Sequence, residues 1–453
     1  MDLFNLLSKI IQVKQAESLS TDELAELQRS RFQKLLAYTL KHSNFYREYY
    51  AQHGIKPAHI KEISIHDLPT VNKHQLMENF DDVVTTKDLT KQRIQEFIRD
   101  PQNIGRKFLG KYEVITTSGS TGEPGFFIYD QSAWNTLRAL ILERVSKAEL
   151  NPFHRARFAF YGVTGGHYAG VSLAADAPRV FFNTLLCSVN DPIQEVIRRI
   201  QEFQPNIISG YASSVHTLAE QQLQGKLDIW PKRVVCSADH LTETMRENIF
   251  KAWGIDATNF YAASESIGIA VECGLHTGFH IFNDWHYLES LTSVHPSTGE
   301  GMSASTLMTN LYNYCMPVIN YEMYDEIELG ENLCPCGWQF PMMRNVAGRV
   351  EEFLWFKTPD GGHDYLHPLN IVVLAAPGMQ RLQLHQDSQE SFIARIALEP
   401  EADETRVVDS IRQQLQLLLQ QKHLPNIYFQ VEVVDEIPLD PVSGKYKFIT
   451  KAL

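Results

Sequence analysis

Residues 114–125 read Val-Ile-Thr-Thr-Ser-Gly-Ser-Thr-Gly-Glu-Pro-Gly, two β-branched apolar residues followed by a run of small hydroxyls and glycines. The pattern predicts a strand that empties into an anion-cradling loop. Glycines let backbone N–H groups turn toward an anion with no Cβ in the way, and the hydroxyls of Thr117, Ser118, Ser120 and Thr121 add donors around the same oxygens. Gly119 and Gly122 are the turning points, and such a loop suits a triphosphate. It is not a Walker P-loop, because no Gly-Lys-Ser/Thr closes it and Glu123 stands where a phosphate-binding lysine would be.

Outward from the loop, the chain alternates strand and helix signals. Ser20-Thr21-Asp22-Glu23 opens a helix by capping-box logic, with Leu24, Leu27, Phe32, Leu35 and Leu36 at helical spacing. Between residues 154 and 265, short apolar strands (206–210, 233–236, 259–261) alternate with amphipathic helices beginning near 191, 213 and 243. This alternation predicts an α/β fold, a parallel sheet covered on both faces. Ligands bind such sheets beyond the C-terminal ends of the strands, where Ser237-Ala238-Asp239 and Ala263-Ser264-Glu265 fall. After Arg349 the pattern becomes strand (381–385), strand (392–398), helix (404–424), strand (427–433), a small α+β unit. The expected division is therefore a large domain over 1–348, with mixed or parallel sheets, and a small C-terminal domain over 349–453.

The composition sets limits. At 453 residues the chain is too long for one ordinary core. No apolar run reaches the ~18 residues that a membrane span needs, and the N-terminus lacks a secretory pattern, so a cytoplasmic location is expected. A net charge of −13 disfavours nucleic acid and anionic membranes as partners. Six scattered cysteines do not form a disulfide framework. Cys187, Cys236 and Cys315 lie in apolar surroundings and read as packing residues. Cys334-Pro335-Cys336 is a tight chelating turn, and with Cys273 and either His276 or His280 it makes a tetrahedral Cys₃His zinc set.

Read together, the loop, Phe260-Tyr261-Ala262-Ala263-Ser264-Glu265, Pro317-Val318-Ile319-Asn320-Tyr321 running to Asp325, Gly348-Arg349-Val350-Glu351-Glu352 and Ser443-Gly444-Lys445 follow one another in a familiar order. The chain resembles the adenylate-forming superfamily of acyl-CoA synthetases and adenylation domains from about residue 30 to its end. The resemblance is closest to the phenylacetate-CoA ligase branch, which includes capsule-biosynthesis ligase-like proteins. It implies ATP-dependent conversion of a carboxylic acid, aryl in character, to an acyl adenylate with release of pyrophosphate, then transfer to a thiol, CoA above all.

The resemblance also implies residue roles. Glu265 would help hold Mg²⁺ on the phosphates, Tyr261 would lie near the adenine of ATP or AMP, Asp325 would take the ribose hydroxyls, and Arg349 would reach the ribose or phosphate side. Ala262, Ser264, Ala238 and Asp239 would line the nucleotide. Lys445, with Lys447 as competitor, would bridge the acid and the α-phosphate. Glu351 would be the hinge about which the small domain rotates. Tyr161, Gly165, Gly166, His167 and Tyr211 would line the acid pocket, and His280 would be preferred over His276 in the zinc set. Homodimers in the branch make a dimer an expectation.

The departures from the branch bear on the acceptor. Ala238-Asp239 stands for a common Gly-Glu, Asn320 for Arg, and the Gly-rich turn that contacts CoA in many ligases is replaced by Pro359-Asp360-Gly361-Gly362-His363. A carrier protein, an amine, or a hydroxyl that receives AMP are the enzymatic alternatives. A non-catalytic nucleotide- or partner-binding fold is the alternative of another class.

Overall fold

The computed structural model describes residues 3–452 apart from 57, 59, 118–124, 190, 192, 295–300, 324, 331–333, 350–353, 360–362, 367–373, 375, 422, 423, 439–446 and 448. The chain divides into two compact units. The first takes Met1–Glu289, Leu307–Met323 and Leu329–Asn345, and the second takes Ser290–Thr306, Tyr324–Glu328 and Val346–Leu453.

In the first unit, the opening motif is flanked by two paired strands. Strand β1 (Glu113–Thr116) pairs antiparallel with β2 (Phe126–Tyr129), from Glu113 opposite Tyr129 to Thr116 opposite Phe126, so residues 118–124 are the connection between two buried strands. The strand read ahead of the loop is present as β1, and the loop residues 118–124 lie outside the described residues.

The main sheet is built from β3 (Ala156–Gly162), β4 (Phe182–Ser188), β5 (Ile207–Tyr211), β6 (Arg233–Ser237) and β7 (Thr258–Tyr261), all parallel, in the order β4-β3-β5-β6-β7. The helices Ile193–Phe203, Ala212–Leu223 and Glu243–Trp253 are the crossovers. Their apolar stripes (Val196, Ile200, Val215, Leu218, Ile249, Trp253) pack on Tyr161, Ile208, Val234 and Cys236. The neighbouring strand residue Phe160 points the other way, into Val171 and Ala174 of the helix Ala169–Ala175. Burial on both faces is what the near-continuous apolar strands require.

The parallel sheet does not end there. Strands β8 (Ala270–Glu272) and β9 (Phe279–Ile281) add antiparallel to β7, and the order continues through β10 (His286–Val294), β11 (Gly301–Asn310) and β12 (Tyr321–Met323) as a separate three-stranded sheet. Strands β13 (Asp325–Gly330) and β14 (Met342–Arg349) complete a nine-stranded mixed sheet, with β14 against β9. The expectation of parallel strands is therefore correct for five of nine. Strands β8, β9 and β14 run antiparallel to their neighbours; the connections from β7 to β8 and from β8 to β9 are short, and a parallel crossover needs a dozen residues or more.

The predicted N-terminal helix is present as Thr21–His42. Ser20 Oγ accepts from the Glu23 N–H, and Glu23 returns its carboxylate to the Ser20 N–H at 2.8 Å. Cys187, Cys236 and Cys315 are buried as read.

The second unit holds the hairpin β15 (Leu354–Lys357) and β16 (His363–Leu366), followed by β17 (Met379–Ser388), β18 (Ser391–Leu398), β19 (Tyr428–Val434) and β20 (Ile449–Lys451) in the order β19-β18-β17-β20. The helix Glu404–Gln421 lays Val407, Ile411, Leu415 and Leu419 against Leu382, Leu384, Ala394 and Ile396 of the sheet. This is the α+β unit expected from the sequence, with longer strands.

Candidate functional site

Both ends of the hydroxyl-rich loop are pinned. Thr117 N–H donates to Gly125 O (2.8 Å), Gly125 N–H donates to Thr117 Oγ1 (2.8 Å), and Thr116 N–H donates to His167 O (2.7 Å). Thr117 thus closes the base of the loop with its hydroxyl. Ser118, Gly119, Ser120, Thr121 and Gly122 lie outside the described residues, as do Glu351 and Lys445.

The segment after β7 lies on this hairpin. Tyr129 OH donates to Ser264 O (3.0 Å), and Ser264 Oγ reaches Thr116 O (3.5 Å). The next residue, Glu265, is half-buried, and Tyr321 OH donates to its Oε1 at 3.2 Å. Ser266 is fully buried and fully bonded: its hydroxyl faces His286 Nε2 (2.8 Å) and accepts from Asn310 Nδ2 (2.9 Å). Burial pushes His286 down to about 4. A neutral ring has one nitrogen to accept from Ser266 and one to donate to Phe282 O, 3.2 Å away. Tyr312 OH closes the set on Ile267 O at 2.7 Å. A satisfied buried network of this kind fixes backbone direction, so the Glu265 carboxylate is delivered from a rigid base.

Tyr321, Tyr129, His286, Asn310 and Tyr312 were not assigned roles from the sequence. Tyr321 ends the quoted Pro317–Tyr321 block, and Asn310 and Tyr312 stand in the polar-aromatic run Asn310-Leu311-Tyr312-Asn313.

Tyr261 ends β7 with its side chain buried, and Ala262 and Ser264 follow it. Across the sheet, Tyr161 and Tyr211 are both buried at the ends of β3 and β5, each raised to about 12 by burial. Gly165 is open to solvent, whereas a Cβ on Gly166 would meet the Tyr168 ring at 2.6 Å. Ala238 holds a left-handed φ of +73°, a conformation that favours glycine and costs about 1 kcal/mol for a side chain. Asp239 caps the helix Ala212–Leu223: its Oδ1 accepts from Ala212 N–H, and its Oδ2 accepts from Ser213 N–H (3.2 Å) and from the Ser213 hydroxyl. Asn320 also has positive φ (+51°), tolerable for asparagine, and donates through Nδ2 to Leu68 O at 2.7 Å.

In the second unit, Asp325 opens β13, where its carbonyl accepts from Thr306 Oγ1 (2.8 Å). Arg349 ends β14. The Lys447 carbonyl accepts from Gln383 Nε2 (3.0 Å).

A second constellation stands in the first unit. Cys273 follows β8, His280 lies on β9, and Cys334 and Cys336 sit in the turn before β14. The four ligating atoms all lie within 4.8 Å of one another. Cys273 and Cys334 sulfurs are 3.3 Å apart, and His280 Nε2 is 3.2 Å from Cys336 Sγ. Burial would raise the Cys334 thiol, but hydrogen bonds from Thr277 and its neighbours outweigh it and lower it. His280 Nδ1 faces Phe340 O at 3.4 Å, which leaves Nε2 toward the sulfurs. The choice between the two histidines is decided by charge. His276 turns away to Asp256 (2.6 Å) and Glu272 (3.1 Å).

No family model matches the chain. Protein CapK of Staphylococcus aureus is 22% identical across 94% of this chain and 89% of that protein. A phenylacetate-coenzyme A ligase of Thermus thermophilus is 27% identical across 80% of this chain and 77% of its own length. The chain is a distant homologue, over most of its length, of these proteins of the adenylate-forming superfamily. Its fold agrees with that of a 2-hydroxyisobutyryl-CoA ligase crystallised with 2-HIB-AMP in the postadenylation state. That match has a TM-score of 0.70 at 16% identity, over 97% of this chain and 91% of the other. No helix among the described residues is long and apolar enough to cross a membrane.

Proposed function

We propose that the protein activates a carboxylic acid of aryl type with ATP and passes the acyl group to CoA. The observation that carries this reading is the joining of the hydroxyl-rich loop to the rigid Ser264-Glu265-Ser266 segment, in a chain related over most of its length to phenylacetate-coenzyme A ligases. A carboxylate oxygen of the acid bonds to the α-phosphorus of ATP while the bond to pyrophosphate breaks. The thiol sulfur then attacks the acyl carbonyl, AMP leaves with the former acid oxygen, and the thiol proton passes to solvent.

The loop hydroxyls and N–H groups of Thr117 to Gly122 would bind the phosphates, Tyr261 would flank the adenine, and Asp325 and Arg349 would serve the ribose. Ala238, Asp239, Ala262 and Ser264 would shape the nucleotide wall. Asp239 would act through the helix it caps. Glu265 is a fit holder for Mg²⁺, since Tyr321 orients its hard oxygen ligands at a strand end. When bound, that ion would neutralise phosphate charge. Tyr161, Gly165, Gly166, His167 and Tyr211 would surround the acid. Rotation about Glu351 would separate the two half-reactions.

Acid-dependent ATP–pyrophosphate exchange against aryl, fatty and amino acids tests the reading. Exchange with aryl acids is the expected result, and silence across the panel would sink it. Lys445→Ala should slow the exchange by on the order of 10²–10³, the effect of losing one charge partner in the transition state. Full activity in that variant would remove Lys445 from the mechanism. Product mass spectrometry with CoA, a carrier protein or an amine decides the acceptor.

The Cys273, His280, Cys334 and Cys336 cluster fits a structural zinc ion. Tetrahedral bonds of about 2.3 Å place sulfurs about 3.8 Å apart, and the separations here run from 3.2 Å to at most 4.8 Å. The donors come from three chain segments, so a bound ion would staple β8, β9 and the turn before β14. Cys336→Ser should reduce the zinc content, measured by plasma mass spectrometry, from about one per chain to a small fraction, and lower the melting temperature with it. Wild-type protein purified without zinc, or a variant with unchanged zinc, would refute the assignment.

A further inference from the structure

A cavity of about 310 Å³ opens in the first unit beside the start of β1. That is at the lower end of small-ligand sites and holds roughly ten water volumes. Its wall includes Arg106, Lys107, Glu113, His167, Asp176 and Arg179.

The charges on the floor are already matched to one another. Lys107 Nζ bridges Glu113 Oε1 (2.8 Å) and Asp176 Oδ2 (3.0 Å), and Asp176 also accepts from Trp134 Nε1 (2.8 Å) and pairs with the buried Arg138. Burial pushes the Glu113 carboxyl up, against the Lys107 ammonium that favours its charge. With Lys107 and Arg138 set against Asp176 and Glu113, the floor is at least neutral. What remains faces the cavity.

Arg106 and Arg179 are exposed, and their guanidinium groups make no ion pair or hydrogen bond among the described residues. His167 is only 5% exposed, yet its buried Nε2 has no hydrogen-bond partner among the described residues. A buried polar nitrogen left unsatisfied costs about 1–3 kcal/mol, and one on a cavity wall marks where a ligand atom would sit. In a chain of net charge −13, two uncommitted guanidinium groups at one cavity set it apart from the surface around it.

We propose that this cavity binds a small phosphate-bearing ligand, either a phosphate monoester or inorganic phosphate. Two guanidinium forks match the oxygens of a tetrahedral dianion, and the Ser172 hydroxyl with His167 Nε2, which this proposal gives to the cavity in place of the acid pocket, completes the donor set. The site is separate in its chemistry from the hydroxyl-rich loop but mechanically linked to it. The His167 carbonyl holds the Thr116 N–H at the mouth of that loop, so a ligand on the His167 ring bears on the loop's base.

Isothermal titration of the full chain with inorganic phosphate and with ribose 5-phosphate tests the site. The expected result is saturable binding that falls by more than about 100-fold in the Arg106→Ala/Arg179→Ala variant, since a hydrogen bond to a charged group is worth about 10–100-fold. The variant's melting temperature should equal the wild type's, because neither side chain is buried. A histidine ¹⁵N spectrum should show one resonance, absent from His167→Phe, moving as phosphate is added. Tighter binding of ribose 5-phosphate identifies a monoester as the ligand, and equal binding identifies free phosphate. No saturable binding up to about 10 mM, or equal binding in the double variant, would overturn the proposal; in the second case the phosphate sits on the hydroxyl-rich loop.

Discussion

Gly210→Ala is expected to lower the stability of the first unit by about 3 kcal/mol or more, the upper range for overpacking. A Cβ at position 210 would stand 2.1 Å from the Tyr161 carbonyl oxygen and 3.1 Å from its carbon. Both obstacles are backbone, so no rotamer change relieves them. Gly210 is paired with Tyr161 in the β3–β5 ladder, and the added methyl would have to force those strands apart at the centre of the parallel sheet. Strands sit about 4.8 Å apart with little tolerance. The consequence reaches the proposed acid pocket, because Tyr211 directly follows and Tyr161 is the strand residue displaced. Gly165→Ala is the control: nothing lies within 4 Å of its Cβ, so its stability should match the wild type. Thermal unfolding of the two variants side by side gives the answer. A Gly210→Ala protein as stable as Gly165→Ala would mean that the β3–β5 register is different from the one described.

The parts of this molecule that were legible in the sequence are those governed by local rules. Strands β5, β6 and β7 and their crossover helices stood out because short apolar runs ended at polar turns, and the Ser20–Glu23 capping box announced its helix directly. Strand β4 did not stand out, since Asn183 and Thr184 are exposed within it and the apolar pattern is broken. Strands β8 and β9 are three residues each, too short for any period to register.

The same division runs through the candidate sites. Cys273, Cys334 and Cys336 stood out by spacing, but that His280 is the histidine beside the sulfurs, with His276 paired to Asp256, is a tertiary fact. Glu265 was legible as a carboxylate at a strand end. Its partner Tyr321 is 56 residues away, and the Ser266–His286–Asn310 network beneath it is assembled from separate segments. Tertiary contacts of this kind leave no periodic trace.

Asp284 governs the second large effect. Asp284 and Arg144 are both fully buried, joined by bonds of 2.7 and 3.0 Å, and Arg31 adds a second guanidinium 3.5 Å from the same carboxylate. Arg144 also donates to Val13 O, which ties the helix Leu3–Ala16 to this point. Asp284→Ala removes the one carboxylate that both arginines share and leaves the fully buried Arg144 with Glu17, 3.6 Å from its Nε, as its remaining counter-charge, at a cost of about 3 kcal/mol. Burial already depresses the Arg31 guanidinium to about 10, with Asp284 as the opposing influence. The double variant Arg144→Met/Asp284→Leu should recover most of the loss, because it removes the desolvated charges along with their attraction. Urea unfolding followed through Trp285, which stacks under Arg31 at 3.3 Å, reads the difference. Recovery in the double variant would mean that the pair sets the position of the N-terminal helix more than it adds net stability. If the double variant were as unstable as Asp284→Ala, the loss would come from Asp284's other contacts: the network that holds His286, two residues on, under Ser266 and Glu265.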